Sequence, residues 1–250
     1  MRLFRKKKSD LPAFDAPVAP DVPFYAVGDL HGCDRLFQKL MAQLETEAHP
    51  DARLVCVGDY VDRGDDSAAL LRRLFELQVD SDGLMICLMG NHERMLLNFL
   101  SDPAQQGLRW QRNGGLQTLA SYHMRGVPET GRPKEWIDLA AALRAKMGEP
   151  LVAWLENLPL FWRSGNVIVA HAGADPERPV DVQGEKELLW GRSKFYERVR
   201  TDGIWVAHGH VITRSPKAES GRIPLDTGAY ATGRLTAALV EAGKVRYLST

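Results

Sequence analysis

Cysteine is scarce in this chain. Cys33, Cys56 and Cys87 form no even set and no C-x-x-C pair, which excludes a disulfide framework and points to a reducing compartment. Cys56 and Cys87 fall inside apolar runs and read as small core residues. No run approaches the roughly 18 apolar residues of a membrane span. The basic start, Met1 to Lys8, is followed by Asp10, Pro12, Asp15, Pro17 and Pro20 rather than by an apolar stretch, so no secretory signal is expected. A cytoplasmic location follows as the expectation. Formal net charge is zero, so no basic field marks nucleic acid as a partner. Internal repeats, long heptads and apolar stripes are also missing, which leaves the oligomeric state open.

What is present suits a globular protein. The chain has 250 residues, 44% hydrophobic and 26% charged, enough to bury one large α/β core or two small ones. Residues 1–22 read as a flexible basic, Pro-rich leader. Phe24 to Val27, Leu54 to Val57 and Leu84 to Leu88 read as buried strands. Helical patterns separate them, one carrying Leu36, Phe37, Leu40, Met41 and Leu44, the next running from Ser67, placed as its cap, to Leu77. This rhythm predicts a parallel sheet with right-handed crossovers. From about 102 to 158 the pattern is helical and reads as an insert over the strand ends. A hairpin is expected around Ser164-Gly165-Asn166. Further strands are expected at Ile204 to Ala207, Ile223 to Leu225, Arg234 to Val240 and Val245 to Leu248.

The strands end in polar groups: Asp29 and His31; Asp59, Asp62 and Arg63; Asn91 and His92; His171; His210. Strand carboxyl ends are where open α/β sheets bind ligands. Each motif alone has a structural explanation, as a turn, a helix cap or a buried histidine. Together they form a donor set of carboxylate, imidazole and amide without thiolate, which suits manganese, iron or zinc. The number of donors fits two adjacent cations better than one, with a shared carboxylate between them. His208 beside Gly209-His210 reads as a supporting or core residue, and Trp110 and Asn113 as groove-lining or helix-packing residues.

Gly28-Asp29-x-His31-Gly32, Gly58-Asp59-x-Val61-Asp62-Arg63-Gly64 and Gly90-Asn91-His92-Glu93 resemble the three signature blocks of the phosphoprotein-phosphatase family of calcineurin-like metallophosphoesterases. His171-Ala172-Gly173 and Gly209-His210 resemble its later metal blocks. Trp110-x-x-Asn113-Gly114-Gly115 and Leu189-Trp190-Gly191-Arg192 are similar to segments of the bacterial and phage serine/threonine phosphatases. The resemblance implies an α/β fold, a β-sandwich flanked by helices, as a single domain over 23–250. It implies two divalent metal ions, manganese being the expected one. Asp29 and His31 would bind the first metal, Asn91, His171 and His210 the second, and Asp59 would bridge. It further implies hydrolysis of phosphomonoesters by direct attack of water activated between the metals. His92 would be the general acid, held by Asp62, and Arg63 and Arg192 would grip the phosphate. The expected substrate is a phosphoprotein or phosphopeptide.

Other functions remain in view. Dinucleoside-polyphosphate hydrolases share the first block, but that group usually lacks the Asp-Arg pair and has Asp after Asn-His; here Asp62, Arg63 and Glu93 point to the protein phosphatases. A non-catalytic phosphoprotein-binding module would be expected to lack ligands, and none is missing. Phosphodiesters are a further possibility, because fold does not set substrate.

Overall fold

The computed structural model describes residues 14–47, 49–128 and 132–250. Chain order begins β1 (Phe24–Val27), α1 (Asp34–Glu47), β2 (Arg53–Cys56), α2 (Ser67–Asp80), β3 (Met85–Cys87) and α3 (Asn91–Ser101). The helical region expected from about 102 to 158 holds α4 (Pro103–Trp110), α5 (Leu116–Ser121), α6 (Pro133–Met147) and α7 (Glu149–Glu156). Then come β4 (Phe161–Ser164), β5 (Val167–Ala170), α8 (Glu185–Trp190), α9 (Ser193–Glu197), β6 (Trp205–His208), β7 (Arg222–Pro224), α10 (Ala229–Thr232), β8 (Thr236–Glu241) and β9 (Lys244–Ser249). No helix among the described residues is long and apolar enough to cross a membrane.

The strands form two sheets, ordered β3-β2-β1-β8-β9 and β4-β5-β6-β7. β1, β2 and β3 pair in parallel, as the strand-helix rhythm predicts, but β8 joins β1 antiparallel. The predicted hairpin is present as antiparallel β4 and β5, after which β6 and β7 add in parallel. A single parallel sheet is therefore replaced by a sandwich of two mixed sheets, as the family resemblance implies. Alternation along β1 explains why it is wholly apolar. Phe24 and Ala26 face the core between the sheets with Val55, Val167, Ala207 and Val240, while Tyr25 and Val27 face the helices with Phe37, Leu40 and Leu70. Both faces are covered, so neither set of alternate positions can be polar.

The helices α4 to α7 pack on α2 and α3. Trp110 stacks on Phe99 with centroids 4.7 Å apart, and Phe99 meets Trp136 edge-on. Ser67 does not cap α2; it is the first helical residue, and its buried hydroxyl lies 3.3 Å from Thr118 Oγ1. Residues 1–13 of the expected leader lie outside the described residues. The described remainder, 14–22, is docked rather than free. Trp205 Nε1 donates to Ala16 O, Asn166 Nδ2 to Pro17 O and Gly243 N to Val18 O, and Val18 is buried between the sheets. These partners lie far along the chain, so no local pattern announces them.

Candidate active site

The site sits where β1, β2, β3, β5 and β6 end. Its geometry begins with backbone strain. His31, Asp59, Asp62, Arg63 and His210 all adopt positive φ, between 39° and 70°. Such conformations are costly for residues with a Cβ and persist where the surroundings over-determine them. For the loop after β2 the determinant is Glu93, while the amide of His31 is held by Asp59 O and that of His210 by Asp29. The fully buried Glu93 carboxylate accepts the amides of Asp59 (2.8 Å) and Gly90 (3.1 Å) on Oε2, and of Tyr60 (2.7 Å) and Val61 (3.1 Å) on Oε1. One side chain from α3 thus fastens the loop after β2. Gly90 makes the approach possible: a Cβ there would lie 2.2 Å from Asp59 N.

Around Asp59 two groups of donors converge. In one, Asp59 joins His171 and His210; in the other it joins His31 and His92. His171 Nε2 lies 2.8 Å from Asn91 Oδ1, 3.2 Å from His210 Nδ1 and 3.4 Å from Asp59 Oδ1, and His210 Nδ1 is 3.0 Å from Asn91 Oδ1. At most two protons can lie among these four atoms, so the four close contacts cannot all be hydrogen bonds. A divalent cation satisfies that arrangement, and nitrogen and oxygen donors suit one. His31 is prepared in the same way. Its Nδ1–H donates to Val61 O at 2.8 Å, which turns the Nε2 lone pair toward Asp59 Oδ2, 3.4 Å away. Burial lowers His31 to about 3 and His171 to about 4, and lowers His210 as well, so the imidazoles are neutral donors at ordinary pH. Asp59 is held well below the carboxylate range: burial opposes its charge, but His171, His92 and His31 outweigh it.

Asp29 stands beside these groups rather than inside either. Both its oxygens accept the His210 amide, at 3.1 and 3.0 Å. Burial, then Asp226 and Asp59, push its carboxyl far up, so three buried acids crowd one place. Asp226 contributes to that crowding and accepts the Gly228 amide at 2.7 Å.

His92 and Asp62 form the other half. His92 Nδ1 is 2.7 Å from Asp62 Oδ2, both side chains being buried. Burial alone would lower the imidazole, but Asp59 and the hydrogen-bonded Asp62 raise it above its usual value. Trp110 Nε1 donates to Asp62 at 3.1 Å, and Thr118 Oγ1 donates to its Oδ1 at 2.7 Å while accepting the Asp62 amide. Trp110 therefore both packs and points its polar edge into the site, and Thr118 is a participant that no sequence motif signalled. Arg63 spans the two imidazoles, Nη1 3.1 Å from His31 Nε2 and Nη2 3.0 Å from His92 Nε2. Tyr230 lies under its guanidinium, 5.2 Å from ring centre to Cζ.

Arg192 is placed differently from the other candidates. Its Nη2 is 2.5 Å from Oε1 of buried Glu187, on the segment tied to the loop after β5 by Ala172 N donating to Leu188 O. His208 is buried edge-on against Phe195 and Tyr196, a packing position.

Between α4 and α5 the backbone of residues 111–115 widens into a π-type turn, with Gly114 at φ 109°. Gly114 O accepts the Arg63 amide at 3.2 Å, and a Cβ on Gly114 would meet Arg63 N at 2.8 Å and Cγ at 2.9 Å. Gly114→Ala is expected to push Arg63 aside and lower kcat/KM about 10²-fold, the scale of an ångström-size misplacement. Steady-state kinetics on the folded variant checks this; a wild-type kcat/KM would remove the π-turn from any role in placing Arg63.

In this two-sheet sandwich the strand ends converge His, Asp and Asn donors on one carboxylate, Asp59, an arrangement able to hold divalent cations. Residues 22–222 match the calcineurin-like phosphoesterase model, and the chain belongs to that family. It is 27% identical over 230 residues to serine/threonine-protein phosphatase 1 of Salmonella typhimurium, covering 87% of this chain and 91% of that one. It is 32% identical over 209 residues to a symmetrical bis(5'-nucleosyl)-tetraphosphatase of Nitrosomonas europaea, covering 76% of this chain and 66% of that protein. A solved structure described as a candidate diadenosine tetraphosphatase shares the fold with a TM-score of 0.63 and 24% identity, over 94% of this chain and 98% of that one.

Proposed function

We propose that this phosphoesterase is a serine/threonine phosphoprotein phosphatase. The reading is carried by the buried Asp62–His92 pair, 2.7 Å apart beside Arg63. A serine or threonine alkoxide leaves poorly without a proton, and an imidazole raised by a carboxylate is suited to supply one. Similarity to the Salmonella phosphatase over most of both chains supports it.

In this reading Asp29, His31 and Asp59 hold one divalent cation, and Asp59, Asn91, His171 and His210 the other, manganese being the first choice and iron or zinc also suiting the donors. When bound, such cations supply Lewis-acid polarisation of a phosphoryl oxygen and acidify water for attack on phosphorus. The protein's own groups do the rest. Trp110, Thr118 and Asp62 fix the tautomer and direction of His92. Arg63 donates to His92 Nε2 before substrate arrives. As Arg63 turns to the phosphate oxygens, the freed Nε2 takes up a proton from solvent water and passes it to the departing alkoxide. Arg192 exchanges Glu187 for a second phosphate contact, its planar guanidinium matching paired oxygens. The three free cysteines are consistent with a cytoplasmic enzyme.

Hydrolysis of dinucleoside polyphosphates is the second reading, favoured by the 32% identity to the Nitrosomonas tetraphosphatase. Turnover of a phosphoserine peptide and of diadenosine tetraphosphate by manganese-loaded protein separates them. The expected result is peptide kcat/KM well above that for the dinucleotide, lost with a chelator and restored by added divalent cation. Preference for the dinucleotide would overturn the phosphatase reading.

A further inference from the structure

Beside the donor cluster, Arg63, Arg112, Asn113, Gly114, Gln117 and Tyr230 line an open cavity of about 410 Å³. Its two cations differ in circumstance. Arg63 already spans His31 and His92 at the cluster. Arg112 comes from the π-type turn and is exposed, and among the described residues no carboxylate forms an ion pair with it. Arg192, by contrast, has its anion in Glu187. Asn113 is held in the wall by Nδ2 donating to Arg109 O at 2.8 Å. The remaining ring, Tyr230, has one face under the Arg63 guanidinium, and its ring meets the His31 ring edge-on at 5.2 Å.

This lining selects among occupants. A nucleobase is held best between apolar or aromatic faces, and the one ring here is already covered on one side by a cation. An open mouth walled by two guanidiniums and two side-chain amides instead suits a small anionic side chain on an extended peptide, placed one step from the phosphate at Arg63. We infer that this cavity is the subsite for an acidic residue flanking the phosphoserine or phosphothreonine, with Arg112 as its specificity-determining group. The inference rests on the phosphoprotein reading above and adds the class of phosphopeptide that the site prefers.

The attraction is between exposed charges, so it is modest and screened by salt. Three phosphoserine peptides differing only in a flanking Glu, Ala or Lys test it with the metal-loaded full chain. The wild-type protein is expected to rank them acidic, neutral, basic, with about a three- to five-fold higher kcat/KM for Glu than for Ala. The difference is carried by KM and shrinks at high salt. Arg112→Glu is expected to reverse the ranking, Arg112→Gln to flatten it, and Arg112→Lys to preserve it. Reversal is a readout that loss of structure cannot mimic. Equal turnover of all three peptides by the wild type, or an unchanged ranking in Arg112→Glu, overturns the subsite and leaves the phosphatase reading standing. Absence of peptide turnover alongside hydrolysis of diadenosine tetraphosphate overturns both, and is recognisable because no peptide is cleaved at all.

Discussion

Replacing His92 with asparagine is expected to slow hydrolysis of a phosphoserine peptide by about 10²- to 10⁴-fold, the usual contribution of a positioned general acid. The same variant should lose far less on p-nitrophenyl phosphate, whose leaving phenolate needs no proton. The contrast separates proton donation from other ways of losing activity. His92 also lies 3.9 Å from Asp59 and near His31, so its removal could disturb metal binding, and that would harm both substrates alike. Measuring kcat on both, with bound metal determined on the same sample, decides the matter. An equal loss on the two substrates would show that His92 supports the site without acting as the acid.

The second large effect is expected at Glu93, which need not touch substrate. Its carboxylate accepts four buried backbone amides, those of Asp59, Tyr60, Val61 and Gly90. Leaving a buried donor unpaired costs about 1–3 kcal/mol. Four such losses in Glu93→Ala approach the whole stability of a typical domain, about 5–15 kcal/mol, so that variant is expected to fail to accumulate as folded protein. Glu93→Gln keeps one acceptor oxygen and turns the other into a donor facing amides. Its melting temperature is expected to fall by about 10 °C or more, at roughly 2–4 °C per kcal/mol for a chain of this size. Activity should fall with it, because the positive-φ residues Asp59, Asp62 and Arg63 sit on the loop that Glu93 fastens. Calorimetry that found Glu93→Gln within about 2 °C of the parent would show that the loop holds its shape by other means.

The sequence alone marks Glu93 only as the residue after Asn-His, useful for separating one phosphatase branch from another. Three of its four acceptances, from Asp59, Tyr60 and Val61, join positions more than thirty residues apart in the chain, and no periodicity encodes them. The same holds for Thr118, which closes on Asp62 from α5, and for Gly114, whose missing Cβ lets the π-type turn rest on Arg63. The resemblance marks Arg192 as a phosphate-gripping guanidinium but says nothing of its pairing with Glu187. Nor could an apolar strand pattern say which of two sheets a strand joins, since strands covered on both faces look alike in either.

What the sequence determined by itself was the inventory and its placement: carboxylates, imidazoles and an amide at the ends of buried strands, in an order that names the phosphoesterase family. Those features are local, because a strand buried on both faces must end in a loop, and the residues of that loop are read directly. Tertiary structure decided which donors converge on Asp59, which side chain bears the loop's strain, how residues 14–22 are tied down, and that Arg112 faces the cavity beside Arg63. These depend on contacts between distant segments, and only packing brings distant segments together.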